Sequence, residues 1–153
     1  MKSSTILVMV DRLSRRPILY PEKFKTFVNN YPIIEHHWSG GPLKSIPLSV
    51  NVFSWQRRLT CLETDLNKHA NNSVYLLLPL ECLQVAFDEG FSTHLEMTKN
   101  MIKKCDLLIV NESKLSDMIT VKMWPGESGY FNFILSVGDK HVAYVNMLFV
   151  SCP

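Results

Sequence analysis

The sequence predicts an α+β fold in which one long central helix is wrapped by a curved antiparallel sheet. An apolar run with almost no polar stripe, residues 74–87, indicates a helix surrounded by other structure. Four β-rich segments follow it, at residues 105–111, 118–124, 130–137 and 141–150, and turn residues separate them. A strand, a long helix and then an antiparallel meander is the order of an α+β domain.

The N-terminal part begins with a predicted buried strand at residues 5–10, which are β-branched and apolar. Residues 11–16 predict a turn, and Pro17 interrupts the pattern. The arginines of this turn could form a basic patch for an acidic carrier protein, but we favour a plain solvated turn.

The length of 153 residues fits one domain. We divide it into residues 1–20, a linker at 21–47 and the main domain at 48–153. The linker carries four prolines and Gly40-Gly41, so at most one short helix is expected, near residues 22–29. Its adjacent His36 and His37 would point to opposite faces of a strand, which argues against a metal site there.

The main domain begins with a predicted strand at residues 48–63, in which Arg57 and Arg58 are expected at a solvated edge. Pro79 lies inside the predicted helix, where a proline costs about 3 kcal/mol. We therefore expect a kink, or a helix whose regular part starts later. Residues 88–104 predict a helical or irregular excursion, and Gly138-Asp139 predicts a hairpin between the last two strands.

The composition excludes several classes of function. A net charge of +2 predicts no nucleic-acid partner and no strong attraction to a membrane. Nothing is long and apolar enough to span a membrane or act as a signal. The four cysteines have no metal-binding spacing. We favour reduced thiols in a cytoplasmic protein over disulfides, with an organelle left open. Cys61 and Cys82 are interpreted as packing residues. No cofactor and no metal are expected.

Polar residues that can carry chemistry precede the apolar helix. Asp65, Asn67 and His69 alternate, so an extended backbone would point all three to one face. Together they could hold a water, bind an oxyanion and move a proton. Asn71 and Asn72 then suit the start of the helix, because asparagine is a good N-cap residue.

This stretch resembles the D-x-N-x-H-x-N-N-x-x-Y signature of the acyl-ACP thioesterases, which act on acyl chains carried by acyl carrier protein (ACP). They form a branch of the hotdog-fold thioesterase superfamily. The matching residues are Asp65, Asn67, His69, Asn71, Asn72 and Tyr75, with Glu81 further along the helix. Many other hotdog thioesterases have Gly in place of Asn67. The resemblance implies a hotdog fold from about residue 48, and residues 1–20 resemble the end of a first hotdog unit.

Residues 112–117 resemble the E-x-x-x-G-D turn between two hotdog strands, with Ser116 where Gly is usual. The resemblance implies a catalytic role for Glu112. In plant members a Cys directly follows this Glu, whereas here the position is Ser113. Aligning Lys104-Cys105 with that pair instead would leave no acid. The other interpretation of Glu112 is a solvated acid at a strand end.

The resemblance implies hydrolysis of a fatty acyl-ACP or acyl-CoA thioester to the free fatty acid. Asp65 and Glu112 are the candidate bases, or Asp65 acts as a nucleophile, while Asn67 and His69 orient water or stabilise the oxyanion. Asn71, Asn72 and Tyr75 are candidate substrate-binding residues that could equally be structural. The alternative function is a catalytically idle binding module or a remnant of a tandem-hotdog enzyme. We expect a homodimer or pairing with another hotdog unit.

Overall fold

The chain divides into two compact units, residues 1–39 and 40–153. The computed structural model describes residues 45–91 and 100–151, the segment 21–29, and a few positions between 11 and 19. The predicted strand at 5–10 and the His36-His37 pair lie outside these residues. The division into residues 1–20, 21–47 and 48–153 stays a prediction.

The described residues of the first unit form a turn and a helix. The Asp11 carboxylate accepts the N–H groups of Leu13 and Ser14 at 3.2 and 2.7 Å, and the Asp11 N–H donates to the Arg16 carbonyl at 2.9 Å. These bonds form a local turn at the predicted position. Among the described residues of this unit, a short helix, α1, spans Glu22–Asn29.

The second unit is built on an antiparallel sheet of five strands, which are β1 (Phe53–Arg58), β2 (Asn100–Ile109), β3 (Met118–Pro125), β4 (Tyr130–Val137) and β5 (Lys140–Ser151). Their order in the sheet is β1-β3-β4-β5-β2. Gly138, at the hairpin between β4 and β5, has a φ of +56°, a backbone conformation that glycine adopts without steric cost. The prediction of an antiparallel sheet is confirmed.

The long helix α2 (Val74–Asp88) packs on one face of this sheet. It contains Pro79 and begins before it, so the expectation of a later start is wrong. The expectation that structure surrounds the helix is also wrong for the described residues. Leu77 is 52% exposed, and Glu81, Gln84 and Asp88 continue an exposed stripe from it at helical spacing. The buried face forms the core with Val121, Met123, Phe133, Leu135, Val145 and Met147.

Two predicted strands change their boundaries. The strand expected at 48–63 is only Phe53–Arg58, because Glu63 accepts the N–H and hydroxyl of Thr60, both at 2.8 Å, and closes a 3₁₀ turn at Cys61–Glu63. The excursion expected to run to residue 104 ends earlier, since β2 begins at Asn100. β2 lies at one edge of the described sheet, so its polar side chains face solvent. They interrupt the apolar pattern from which a strand is predicted.

Arg57 is not the solvated residue expected from the sequence. Its guanidinium binds the Glu63 carboxylate through two nitrogens, and its Nε lies 2.9 Å from Glu81 Oε2. Burial opposes the charge on Glu63, but the hydrogen bonds from Arg57 and Thr60 outweigh it and lower the pKa of this carboxyl. Arg57 therefore ties β1 to the 3₁₀ turn and to α2.

Candidate active site

Asp65, Asn67 and His69 lie in a tight turn and not on an extended strand. Asp65 Oδ1 accepts the N–H of Asn67 at 2.8 Å and that of His69 at 3.0 Å. The backbone closes the same turn, since the Asp65 N–H donates to the His69 carbonyl at 2.8 Å. A short acidic side chain that accepts N–H groups further along its own chain favours a turn over a strand. The prediction of one shared extended face is therefore wrong.

The turn fixes the ionisation of Asp65. The backbone N–H of His69 has the largest effect in lowering the pKa of this carboxyl, and the N–H of Asn67 acts in the same direction. Asp65 is exposed and therefore carries a negative charge at neutral pH.

The second predicted constellation forms another turn, at residues 112–117. Asp117 accepts the N–H of Lys114 at 2.7 Å through its side chain and donates its own N–H to the Lys114 carbonyl at 3.0 Å. Ser116 has a φ of 72°, in the left-handed region where glycine is favoured. This explains physically why Gly would suit the position that Ser116 occupies.

Backbone hydrogen bonds hold the two turns together. The Ala70 N–H donates to the Ser113 carbonyl and the Leu115 N–H to the Lys68 carbonyl, each at 2.9 Å, so that His69 and Lys114 lie side by side. His69 Nε2 consequently lies 3.6 Å from Glu112 Oε2, with the His69 side chain 23% and the Glu112 side chain 56% exposed. The structure thus brings Glu112 to His69, while the His69 backbone holds Asp65.

Similar structures come from solved thioesterases. An acyl-ACP thioesterase from Bacteroides thetaiotaomicron matches with a TM-score of 0.62 and 18% identity over 92% of this chain and 53% of that one. A 1,4-dihydroxy-2-naphthoyl-CoA thioesterase from Synechocystis matches with a TM-score of 0.56 and 12% identity over 67% of this chain and 85% of that one. These neighbours share the helix-on-sheet architecture. The chain has the hotdog fold.

The prediction of a hotdog fold is thereby confirmed, and an acyl-ACP thioesterase is among the structural neighbours. A hypothetical protein of Staphylococcus aureus, solved in complex with CoA, also matches, with a TM-score of 0.57 and 14% identity over 66% of this chain and 76% of that one. This chain spans about half the length of the Bacteroides enzyme. No protein-family model and no curated protein sequence matches the chain.

The two asparagines at the start of the hotdog helix do not cap it with their side chains. Ser73 is the N-cap residue, and no side chain makes a capping hydrogen bond there. Backbone hydrogen bonds of Asn71 hold the start of the helix instead. The Asn71 carbonyl accepts the Val74 N–H at 3.0 Å, and the Asn71 N–H donates to the Glu63 carbonyl at 2.9 Å. The side chains of Asn71 and Asn72 are exposed beside the candidate site.

Tyr75 points into the hotdog core. It is 2% exposed, and its phenol oxygen lies 2.7 Å from Ser113 Oγ and accepts the Ser113 N–H at 3.1 Å. Ser113 is itself fully buried. The sequence does not indicate this partnership, since an isolated serine after a glutamate carries no pattern.

Among the described cysteines, Cys61 lies in the 3₁₀ turn, Cys82 in α2 and Cys105 in β2. Cys105 pairs with Met147 in the middle of the β2–β5 ladder, so aligning Lys104-Cys105 with the catalytic pair would remove that pair from the turn. Burial raises the pKa of Cys82 to about 12, as expected of a packing residue. Cys61 is exposed, so the interpretation of it as a packing residue is wrong.

Two other searches concern only the residues that the structure describes. Among them, no group of three or more His, Cys, Asp or Glu side chains could hold a metal ion. None of the described helices is long and apolar enough to cross a membrane.

Proposed function

We propose that this hotdog domain hydrolyses acyl thioesters. The observation that carries the proposal is the approach of His69 Nε2 to Glu112 Oε2 at 3.6 Å, made by the turn that Asp65 holds. An imidazole and a carboxylate at this separation can both hydrogen-bond one water that lies beside the pair, and they can move its proton. Both groups are partly open to solvent, which leaves room for a substrate.

Glu112 is the proposed base, because the hydrogen-bonded Asp65 carboxylate is a weaker proton acceptor. Water attacks the carbonyl carbon and gives a proton to Glu112, and the side-chain amide of Asn67 donates to the oxyanion. The C–S bond then breaks, and the proton passes through His69 to the leaving thiolate. The products are a carboxylic acid and a thiol. Direct attack by Asp65, through an anhydride, is the second route.

The proposed substrate is a fatty acyl-ACP or acyl-CoA. The proposed role of the protein is in fatty acid biosynthesis, in the cytoplasm or in an organelle. Support comes from the Asn67-containing signature and from two neighbours, one named an acyl-ACP thioesterase and one solved with CoA. The start of α2 lies directly after the candidate site, and its positive dipole end would favour the oxyanion or a phosphate of the carrier. Asn71 and Asn72, exposed at that point, are the proposed substrate contacts.

The test is the hydrolysis rate on acyl-CoA and acyl-ACP, with Asp65→Ala as the decisive variant. We expect that Asp65→Ala abolishes hydrolysis, because it removes both the charge and the acceptor of two backbone N–H groups. Asp65→Asn is the matched control, since it keeps an acceptor oxygen for the turn and loses only the charge. In the route with Glu112 as the base, Asp65→Asn should keep both the stability and nearly the wild-type kcat, whereas a loss of about 10²-fold or more would support direct attack by Asp65.

The competing proposal is a catalytically idle hotdog module that binds a partner or substrate without hydrolysis. The large exposure of Glu112, 56% of its side chain, is the observation that favours it. Intact, folded wild-type protein without any rate on either substrate would establish this alternative. A rate that survives Asp65→Ala would contradict the mechanism and keep the activity.

We also propose that the domain pairs side by side with a second copy or with another hotdog unit. β2 lies at one edge of the described sheet, where Met101 and Ile102 are 51% and 41% exposed, and exposed apolar side chains on an edge strand favour edge pairing. Light scattering at micromolar concentration is expected to give the mass of a dimer. The matched variant Ile102→Lys should shift it toward the monomer, and a wild-type monomer that hydrolyses thioesters would contradict pairing.

A further inference from the structure

We propose that Tyr75 is a positioning residue for Glu112 and not a substrate-binding residue. The phenol oxygen of Tyr75 makes two hydrogen bonds with Ser113, one with its N–H at 3.1 Å and one with its Oγ at 2.7 Å. Ser113 directly follows Glu112 in the chain. The phenol oxygen of Tyr75, on α2, therefore positions the segment that carries Glu112, the proposed base. This inference rests on the thioesterase function proposed above.

Ser113 makes a third hydrogen bond, which joins it to the end of the turn that contains Asp65 and His69. Its carbonyl accepts the Ala70 N–H at 2.9 Å, and Ala70 directly follows His69. Ala70 and Ser113, which follow His69 and Glu112 in the chain, are thus joined by a hydrogen bond. Tyr75, on α2, positions the Ser113 that accepts it. This arrangement couples α2 to the separation between His69 Nε2 and Glu112 Oε2.

The contact between Tyr75 and Ser113 is buried. Tyr75 is 2% and Ser113 0% exposed, so water cannot easily replace the phenol if it is lost. A buried Ser113 N–H without its acceptor would seek another partner by shifting the chain at Glu112. The same burial argues against contact of Tyr75 with a substrate, because its ring lies in the core with Val74 and Leu78.

The experiment is a double-mutant cycle with Tyr75→Phe and Glu112→Gln, measured as kcat and KM on acyl-CoA. Tyr75→Phe is expected to lower kcat by about 10- to 100-fold with KM nearly unchanged, as a misplaced catalytic group would. In the Glu112→Gln background the same change should cost less than about two-fold, because the two residues act as one unit. A rise in KM at constant kcat, or two effects that multiply, would overturn the proposal.

Two further variants keep this test decisive. Val121→Ala, in the core at β3, is the control for a plain loss of stability, and its folded fraction should keep the wild-type kcat. Should Tyr75→Phe fail to fold, Ser113→Ala replaces it, since it removes only one of the two bonds. It should then lower kcat by a smaller factor, again without effect in the Glu112→Gln background.

Amide hydrogen exchange separates this proposal from the thioesterase function. Tyr75→Phe should speed exchange of the Ala70 and Leu115 N–H groups, which join the two turns, and leave the Phe133 N–H in β4 unchanged. Wild-type protein without hydrolysis would refute the proposed function, whereas this exchange pattern would still support the positioning role. Unchanged exchange at Ala70 in a folded Tyr75→Phe variant would refute the positioning role whatever the activity.

Discussion

The helix-on-sheet core and the two site turns are held together by different forces. In the core, Leu78, Leu83 and Leu135 are fully buried and Phe133 is 1% exposed. Burying one such side chain stabilises the fold by about 1.5–3 kcal/mol and demands no particular direction. The turns instead depend on side-chain acceptors such as Asp65 and Asp117, which bind backbone N–H groups of their own turns. Each such bond contributes about 0.5–1.5 kcal/mol and fixes a direction.

This difference predicts that stability and activity respond to different substitutions. The core supplies most of the free energy of unfolding, so its loss unfolds the domain without altering the chemistry of molecules that stay folded. The turns supply little of that free energy but set distances such as 3.6 Å between His69 and Glu112. A small displacement there is costly for catalysis, because reacting groups must be held within a fraction of an ångström.

Among substitutions that leave the Asp65 turn intact, His69→Ala and Asn67→Ala have the largest expected effect on activity. Each should lower kcat by about 10²-fold or more, because each removes a donor or proton carrier while the backbone bonds to Asp65 remain. Thermal unfolding should change little, since His69 is only partly buried and Asn67 is exposed. Near-wild-type turnover in either variant would remove that residue from the mechanism.

The counterpart in the core is Leu78→Ala. It should lower the free energy of unfolding by about 2–5 kcal/mol, because it leaves a cavity at a fully buried position. The kcat of the fraction that remains folded should equal that of the wild type. Should Leu78→Ala lower kcat as strongly as His69→Ala, the core and the turns would not be separable in this domain.

The core could be predicted from the sequence because its pattern is local and apolar. β4 occupies the predicted residues, Tyr130–Val137, and β3 extends only one residue beyond the expected 118–124. The start of β2 could not be predicted in this way. Residues such as Lys103 and Lys104 are polar because the strand lies at the end of the described sheet, and a polar strand has the composition of a loop.

The site could be predicted by residue type but not by shape. The signature pointed to His69 and the E-x-x-x-G-D resemblance to Glu112, and the structure places these two side chains 3.6 Å apart. The signature could not predict the turn at Asp65, because period-two spacing does not tell a strand from a turn whose acid binds its own backbone. Nor could it predict that Tyr75 bonds Ser113, since these residues are 38 positions apart and meet only when α2 packs on the sheet.

The smallest expected effect is that of Ser116→Gly, in the turn that carries Glu112. Ser116 has a φ of 72°, which costs a residue with a side chain about 1–2 kcal/mol. Glycine removes that strain but loses more conformational entropy on folding, so the net gain in unfolding free energy should be about 0.5–1 kcal/mol. The backbone bonds of Ser116, to the Leu59 carbonyl and from the Arg58 guanidinium, do not need the side chain. The matched control is Ser54→Gly, an exposed position within β1, where the same substitution should destabilise the domain by a similar amount. Chemical denaturation of both variants gives the sign directly. A loss of stability in Ser116→Gly would mean that the serine side chain makes a favourable contact that outweighs the strain of its backbone.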